Sequence, residues 1–265
     1  MVSLLLSLPA IFSALAFVAA TIALALGSYL GMRAIFGHHG DSERRELAGS
    51  VIFRVSALHG LILALVFAQE IANETEADNA ASHEARLVAD TFYDLERYDR
   101  ETTLQIRTAL AHYARQVTDV EWRLLADERQ LDSAAWAHWN AAYEGALTLH
   151  GDTPRHEVLR DNILRNIREI SSLRRTRETA AFHGAEPLFL IAALVGVVLT
   201  SAAYFTFEPT RLNILLLSIF ASYSGLIIYF IIAFSNPFHA PGMASPVGFE
   251  RILEGGIGQL AGGGG

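Results

Sequence analysis

The sequence contains no cysteine and no lysine, and only 18% of its residues are charged. Without cysteine there is no disulfide scaffold, no thiolate metal site and no cysteine nucleophile. The formal net charge of −8 excludes a basic nucleic-acid-binding surface. A glycine-rich phosphate loop, a His-Glu-x-x-His zinc motif and a Gly-x-Ser-x-Gly elbow are all missing. The sequence therefore predicts neither catalytic residues, nor a metal site, nor a cofactor.

Long apolar stretches are abundant, by contrast, because 52% of the residues are hydrophobic. Residues 2–31 carry no charge, and residues 51–68, 187–205 and 212–234 carry only Arg54. About 20 apolar residues cross a hydrocarbon core of about 30 Å. These stretches predict four spans in the lipid bilayer, at about residues 9–31, 51–71, 187–206 and 212–234. The first apolar run is much longer than the apolar core of a signal peptide, and no positive segment precedes it, so we expect an uncleaved span.

The spans predict two hairpins on either side of a helical extramembrane domain. Residues 1–72 and 187–235 would form the hairpins, residues 73–186 the domain, and residues 236–265 a tail that is flexible after Glu254. The polar segments 37–50 and 208–211 would be the hairpin loops. The fold class is thus an all-α membrane protein with four transmembrane helices. Arginines near the spans are almost equally divided between the two sides, so charge alone does not predict the orientation.

The central domain has few glycines or prolines and apolar residues at helical spacing. We expect the second span to continue without a break as far as Leu95. A second helix would follow Asp99, with an apolar face of Leu104, Leu110, Tyr113, Val117, Val120 and Leu124.

Two further helices of this domain have recognisable starts. Asp132 or Ser133 would cap the third helix. Thr153 and Pro154 would open the fourth helix, as a cap and a first-turn proline. Its inward stripe would be Val158, Ile163, Ile167 and Ile170.

The second span carries polar residues, which are costly in a bilayer unless they face a bundle interior or water. At about 100° per residue, one arc of roughly 80° is polar, then apolar, then polar. Its residues are Ser56, His59, Leu63, Val66, Glu70 and Glu74. Several copies around an axis would enclose a pore in which Leu63 and Val66 form an apolar constriction that gates by dewetting. The alternative is that His59 hydrogen-bonds a neighbouring helix and the two glutamates mark the entry into water.

The order of elements resembles that of bestrophin channels. Short motifs also resemble the bacterial bestrophin-like membrane proteins: Tyr113, Glu121-Trp122, Pro187 at the start of the third span, and Asn236-Pro237-Phe238 after the fourth. The resemblance covers nearly the whole chain. It implies a homo-oligomer, pentameric in bestrophins, whose second span lines a pore for small inorganic ions. It also implies the bacterial inner membrane, with the large domain and both termini in the cytoplasm.

Two questions stay open after this comparison. Animal bestrophins follow Asn-Pro-Phe with acidic residues that help to hold calcium, whereas His239 follows here. Ion selectivity is open, because Glu70 and Glu74 favour cations while His59 and Arg54 favour anions.

A second function class is a membrane receptor or scaffold without enzymatic activity, in which the helical domain is the sensor. It would require a separate output partner.

Overall fold

The computed structural model describes residues 10–37, 42–182, 187–240, 242 and 244–262. Within these ranges the chain forms helices and no strand. The elements in chain order are α1 (Ala10–Phe36), α2 (Ser42–Tyr98), α3 (Leu104–Gln116), a π-helical segment (Val117–Glu121), α4 (Trp122–Asp127), α5 (Ser133–Leu147), α6 (Pro154–Phe182), α7 (Pro187–Ala203), a 3₁₀ turn (Tyr204–Thr206), α8 (Arg211–Ala233), α9 (Val247–Leu253) and α10 (Gly256–Gly262).

The chain divides into two compact units. The four-span unit comprises Met1–Ala72 and Gly184–Ser235, and the helical-domain unit comprises Asn73–His183 and Asn236–Gly265. Four helices among the described residues are long and apolar enough to cross a membrane: α1, α2, α7 with its 3₁₀ turn, and α8. The predicted all-α class with four membrane helices is therefore confirmed.

The second membrane helix is longer than the sequence predicted at its start. Helix α2 begins at Ser42, so most of the polar segment that was expected to be a loop is helical. Neither proline nor glycine interrupts the chain between Ser42 and Gly49, and arginine and glutamate are good helix formers. The helix then runs without a break to Tyr98. Residues 38–41 of the predicted loop lie outside the described residues.

The core of the helical-domain unit contains most of the apolar residues that the periodicity selected, but not all of them. Ile163, Ile167 and Ile170 of α6 are fully buried. Val158 is 61% exposed, so its place in the inward stripe was wrong. It lies five positions before Ile163, which puts it roughly 140° away around the helix.

A π-helical segment changes the register of the helix after Asp99. The predicted face placed Val120 and Leu124 in the core, but both are only half-buried. Glu121 and Leu125 are fully buried instead. A π-helical turn accommodates an additional residue, so every side chain beyond it moves round by about one position. Leu104, in the first turn of α3, is also exposed and was wrongly assigned.

The helix starts predicted for α5 and α6 are confirmed. Asp132 accepts a hydrogen bond from the backbone N–H of Ala135 at 2.8 Å, and therefore caps α5. Thr153 Oγ1 accepts one from the backbone N–H of His156 at 3.1 Å, ahead of the first-turn proline of α6.

The glycine-rich C-terminal segment is helical as far as residue 262. Ile257 and Ala261 of α10 are buried, so the expectation of a flexible tail after Glu254 was wrong for this part. A Cβ at Gly258 would lie 1.7 Å from the carbonyl oxygen of Leu253. A glycine is therefore required by the close turn between α9 and α10.

Candidate functional site

The polar-apolar-polar arc of the second span faces the interior of its own subunit. His59, Leu63, Val66 and Glu70 are between 3% and 8% exposed. Leu63 and Val66 belong to a cluster with residues of α1, α7 and α8. Side chains enclosed by their own chain cannot face an opening between copies. This burial corrects the prediction that these four residues line a pore.

The two outer residues of the arc are half-buried. Ser56 donates its hydroxyl hydrogen bond to the carbonyl oxygen of Ile52, at 2.7 Å in its own helix. Glu74 also has an interaction partner. Neither position carries an argument for a pore.

His59 packs between α7 and α8. Its Nε2 lies 3.1 Å from Ser224 Oγ of α8. Its Nδ1 is buried and has no hydrogen-bond partner among the described residues. A Cβ at Gly196 of α7 would lie 2.3 Å from that Nδ1, so only glycine fits against the ring. This agrees with the alternative interpretation of His59, as a group that hydrogen-bonds a neighbouring helix.

The opposite side of the second span is open. Leu58, Leu61 and Leu65 are 59%, 56% and 63% exposed and follow one another at helical spacings of three and four residues. Arg54 precedes them on this side and Gln69 follows them, and both are exposed. We call these five residues the exposed stripe. It has the same polar, apolar and polar order as the buried arc.

Pro187, one of the motif residues, begins α7 in the four-span unit. The other family-motif residues lie in the helical-domain unit, where they form one buried network with three charged residues of α2 and α6. Tyr113 donates a hydrogen bond to Glu84. Arg177 donates to Glu84 Oε2 at 2.7 Å and to Glu121 Oε1 at 2.8 Å. Arg174 pairs with the other oxygen of Glu121. The carboxylates and Arg177 are completely buried, and Arg174 is 3% exposed.

The two carboxylates of this network keep Arg177 charged, although burial raises the pKa of Glu84 against the opposing effect of Arg177. Burial alone would lower the pKa of Arg177, but the carboxylates of Glu84 and Glu121 outweigh it and raise that pKa. Burial and the adjacent Glu84 raise the pKa of Tyr113 well above its usual value, so the phenol remains a hydrogen-bond donor. We call Glu84, Glu121, Arg174 and Arg177 the ion cluster.

The remaining motif residues attach the C-terminal segment to this network. Asn236 donates to the carbonyl oxygens of Leu125 and Ala126, both at 3.0 Å. Asn236 Oδ1 accepts from the backbone N–H of Phe238 at 3.1 Å, across Pro237. The ring of Phe238 meets that of Trp122 edge-on, at 5.1 Å between centroids.

Two aromatic rings then enclose the guanidinium at the centre of the network. The Arg177 Cζ lies 5.7 Å from the Trp122 ring centroid and 5.8 Å from that of Phe249 in α9. Trp122 Nε1 also donates to the carbonyl oxygen of Ala244 at 3.3 Å. The motif residues therefore bind the segment after the fourth span to the helical-domain unit.

The sequence contains a signal for Glu84, Arg174 and Arg177, the charged residues that the sequence analysis did not select. Arg174 and Arg177 continue the spacing of Ile163, Ile167 and Ile170 along α6, and Glu84 falls among the buried alanines of α2. A charge in the register of an apolar stripe predicts a buried ion pair, because an isolated buried charge is too costly.

Comparison with known proteins agrees with this architecture. The model of the bestrophin-like domain family matches residues 19–246. The chain belongs to the bestrophin-like family. A crystal structure of a bacterial bestrophin homologue from Klebsiella pneumoniae, a single-residue variant, matches with a TM-score of 0.63 and 14% identity, covering 94% of this chain and 99% of that chain. Another structure of that homologue has a TM-score of 0.64 and 12% identity, with coverages of 94% and 98%.

A crystal structure described only as a membrane protein variant also matches, with a TM-score of 0.67, 10% identity and coverages of 94% and 98%. At these identities the structures show the fold alone. Among curated proteins no significant match is found. As a bestrophin-like protein, the chain has an ion-channel-type fold and is a membrane protein. The buried ion cluster and the exposed stripe are observed in this chain itself and are not taken from the similar structures.

Proposed function

We propose that this bestrophin-like protein is a homo-oligomeric ion channel whose pore is lined by the exposed stripe of the second span. The observation that carries the proposal is the order of that stripe: Arg54, then three exposed leucines, then Gln69. An apolar ring between polar mouths conducts when wet and closes when it loses water. The second span is also the pore-lining span that the resemblance to bestrophins implies.

Small residues beside the stripe support assembly of several copies. Gly60, Ala64, Ala68 and Ala72 recur every four residues and are exposed in the subunit. Beyond its own helical turn, a Cβ added at Gly60 would meet no atom of the described residues within 4 Å. Small residues at this spacing let membrane helices approach closely. Five copies, as in bestrophins, would bring the second spans together around one axis.

The channel is tested by the current of purified protein in a planar bilayer, with a matched pair of leucine variants. Leu65→Ala shortens a side chain of the exposed stripe, so we expect a larger current or weaker closure. Leu63→Ala makes the same change at a buried position, where the cost is about 2–5 kcal/mol of stability. It should reduce the amount of folded protein and leave the single-channel current unchanged.

Each outcome of this comparison is informative. If Leu63→Ala alters the current and Leu65→Ala does not, the pore would be lined by the buried arc and not by the exposed stripe. A bilayer that stays silent across salts and pH values would contradict the channel and favour a receptor or scaffold.

We also propose that the protein lies in the bacterial inner membrane with its helical domain and both termini in the cytoplasm. Resemblance to bestrophins supports this orientation. A reporter fused after Gly265 tests it, because a periplasmic signal from that reporter would reverse the orientation.

A further inference from the structure

Two histidines of the helical-domain unit face each other across a pair of packed helices. His112 lies on α3 and His138 on α5, with their ring centroids 5.3 Å apart and their planes inclined by 25°. Both side chains are only half-buried. Neither the ion cluster nor the exposed stripe includes them.

Contacts between other residues of the two helices fix the helices against each other. Helices α3 and α5 run antiparallel, because Gln116 donates to Asp132 at 2.9 Å near one end, and a Cβ at Gly145 would lie 2.7 Å from Ile106 near the other. Five alanines of α3 and α5 are fully buried: Ala111, Ala114, Ala135, Ala142 and Ala146. Such small side chains allow the helix axes to approach closely. The histidine pair is therefore placed by a close-packed frame.

The separation of the two ring centroids is compatible with a shared zinc ion. Zn²⁺ binds imidazole nitrogen at about 2.0–2.1 Å and prefers tetrahedral angles. With each ring centre a further 1.1–1.2 Å or so behind its nitrogen, two imidazoles on one ion have centroids about 5.2 Å apart. The observed centroid spacing of 5.3 Å matches this distance, so the backbones of α3 and α5 need not move. The two rings are stacked, and each must turn about its side-chain torsions to direct one nitrogen at the ion.

Metal binding requires imidazole nitrogens that are not already bonded. No hydrogen bond to another protein group occupies either ring in the described structure.

We propose that His112 and His138 bind one divalent ion of the Zn²⁺, Ni²⁺ or Cu²⁺ class and thereby crosslink α3 and α5. In the described parts of the chain, no three histidine, aspartate or glutamate side chains gather closely enough to hold a metal. The two imidazoles therefore supply two ligands and water completes the shell. Imidazole suits these ions and not Mg²⁺ or Ca²⁺, which prefer oxygen ligands.

Isothermal titration of purified protein with ZnCl₂ at pH 7.5 tests the site. We expect one saturable site per chain, at least a tenfold loss of affinity in both His112→Asn and His138→Asn, and no site for MgCl₂. Thermal unfolding without zinc shows that the variants remain folded. If one of these two variants does not fold, the zinc affinity of the other still tests the site.

Two further histidines provide controls for zinc bound elsewhere. His83 Nε2 lies 3.5 Å from Glu169 on the same unit, and the exposed His150 is bonded to Tyr98 only through its backbone. His83→Asn and His150→Asn should bind zinc as the wild type does. Unchanged zinc binding in folded His112→Asn and His138→Asn, loss only in His83→Asn, or no saturable binding by the wild type would each overturn the proposal.

Discussion

Replacing Arg177 by methionine should cause a large loss of stability in the helical-domain unit. The guanidinium is fully buried and donates hydrogen bonds to both Glu84 and Glu121. Methionine fills a comparable volume but leaves two carboxylates without their common partner. Glu121 would still have Arg174, whereas Glu84 would have only the hydroxyl of Tyr113.

Removing one partner of a buried ion pair costs about 3–5 kcal/mol, because the remaining charge stays desolvated. For a protein of this size each kcal/mol lowers the midpoint of thermal unfolding by about 2–4 °C. The midpoint of Arg177→Met should therefore fall by roughly 6–20 °C. Thermal unfolding of detergent-solubilised protein, followed by size-exclusion chromatography, measures this shift.

Arg175 provides a matched control two residues away on the same helix. Its side chain is exposed, and no ion pair or hydrogen bond of that side chain is found in the described structure. Arg175→Met should change stability by less than about 0.5 kcal/mol. If Arg177→Met and Arg175→Met unfold within 2 °C or so of each other, the buried cluster does not stabilise the fold in the way argued from its geometry.

Three other perturbations follow from the structure. Asn236→Ala should lower stability by about 1–3 kcal/mol, because the carbonyl oxygens of Leu125 and Ala126 lose their donor; a thermal midpoint equal to the wild type would contradict this role. Gly196→Ala should cost about 1–3 kcal/mol through its clash with His59, and adding His59→Ala should recover most of that loss; an additive double variant would disprove the contact. Burial lowers the pKa of His138 in the folded protein, so the unfolded chain binds more protons below about pH 6.5. Stability should therefore fall with acidification in that range, and His138→Gln should weaken the dependence. Equal slopes of stability against pH in wild type and variant would rule out His138 as the cause.

The membrane architecture was predictable because it depends on composition and length. A bilayer imposes about the same apolar length on every span, so charge-free stretches show where the chain crosses. Local signals at Asp132 and Thr153 also act within one turn, and both helix starts were correct. Such features need no knowledge of the neighbouring helices.

The interior of the helical domain was less predictable, because one irregular turn and one long-range network determine it. The π-helical segment Val117–Glu121 moves Glu121 into the core and Val120 out of it, and a fixed period cannot show such a shift. Glu84 and Arg177 are 93 residues apart in the chain, so their pairing depends on how α2 and α6 pack. A single sequence shows the charges but not their partners.

The question of which face of the second span is buried illustrates a limit of helical projection. The buried arc with His59 and Glu70, and the exposed stripe between Arg54 and Gln69, both read polar, apolar and polar. Projection identifies such arcs but contains no information about which one the other spans cover. The small residues distinguish them: Gly196 on α7 makes room for His59, whereas Gly60 has open space beside it. A polar group on a membrane helix should therefore be assigned to the bundle interior when a neighbouring span offers a glycine against it, and the opposite face then becomes the candidate wall of a pore.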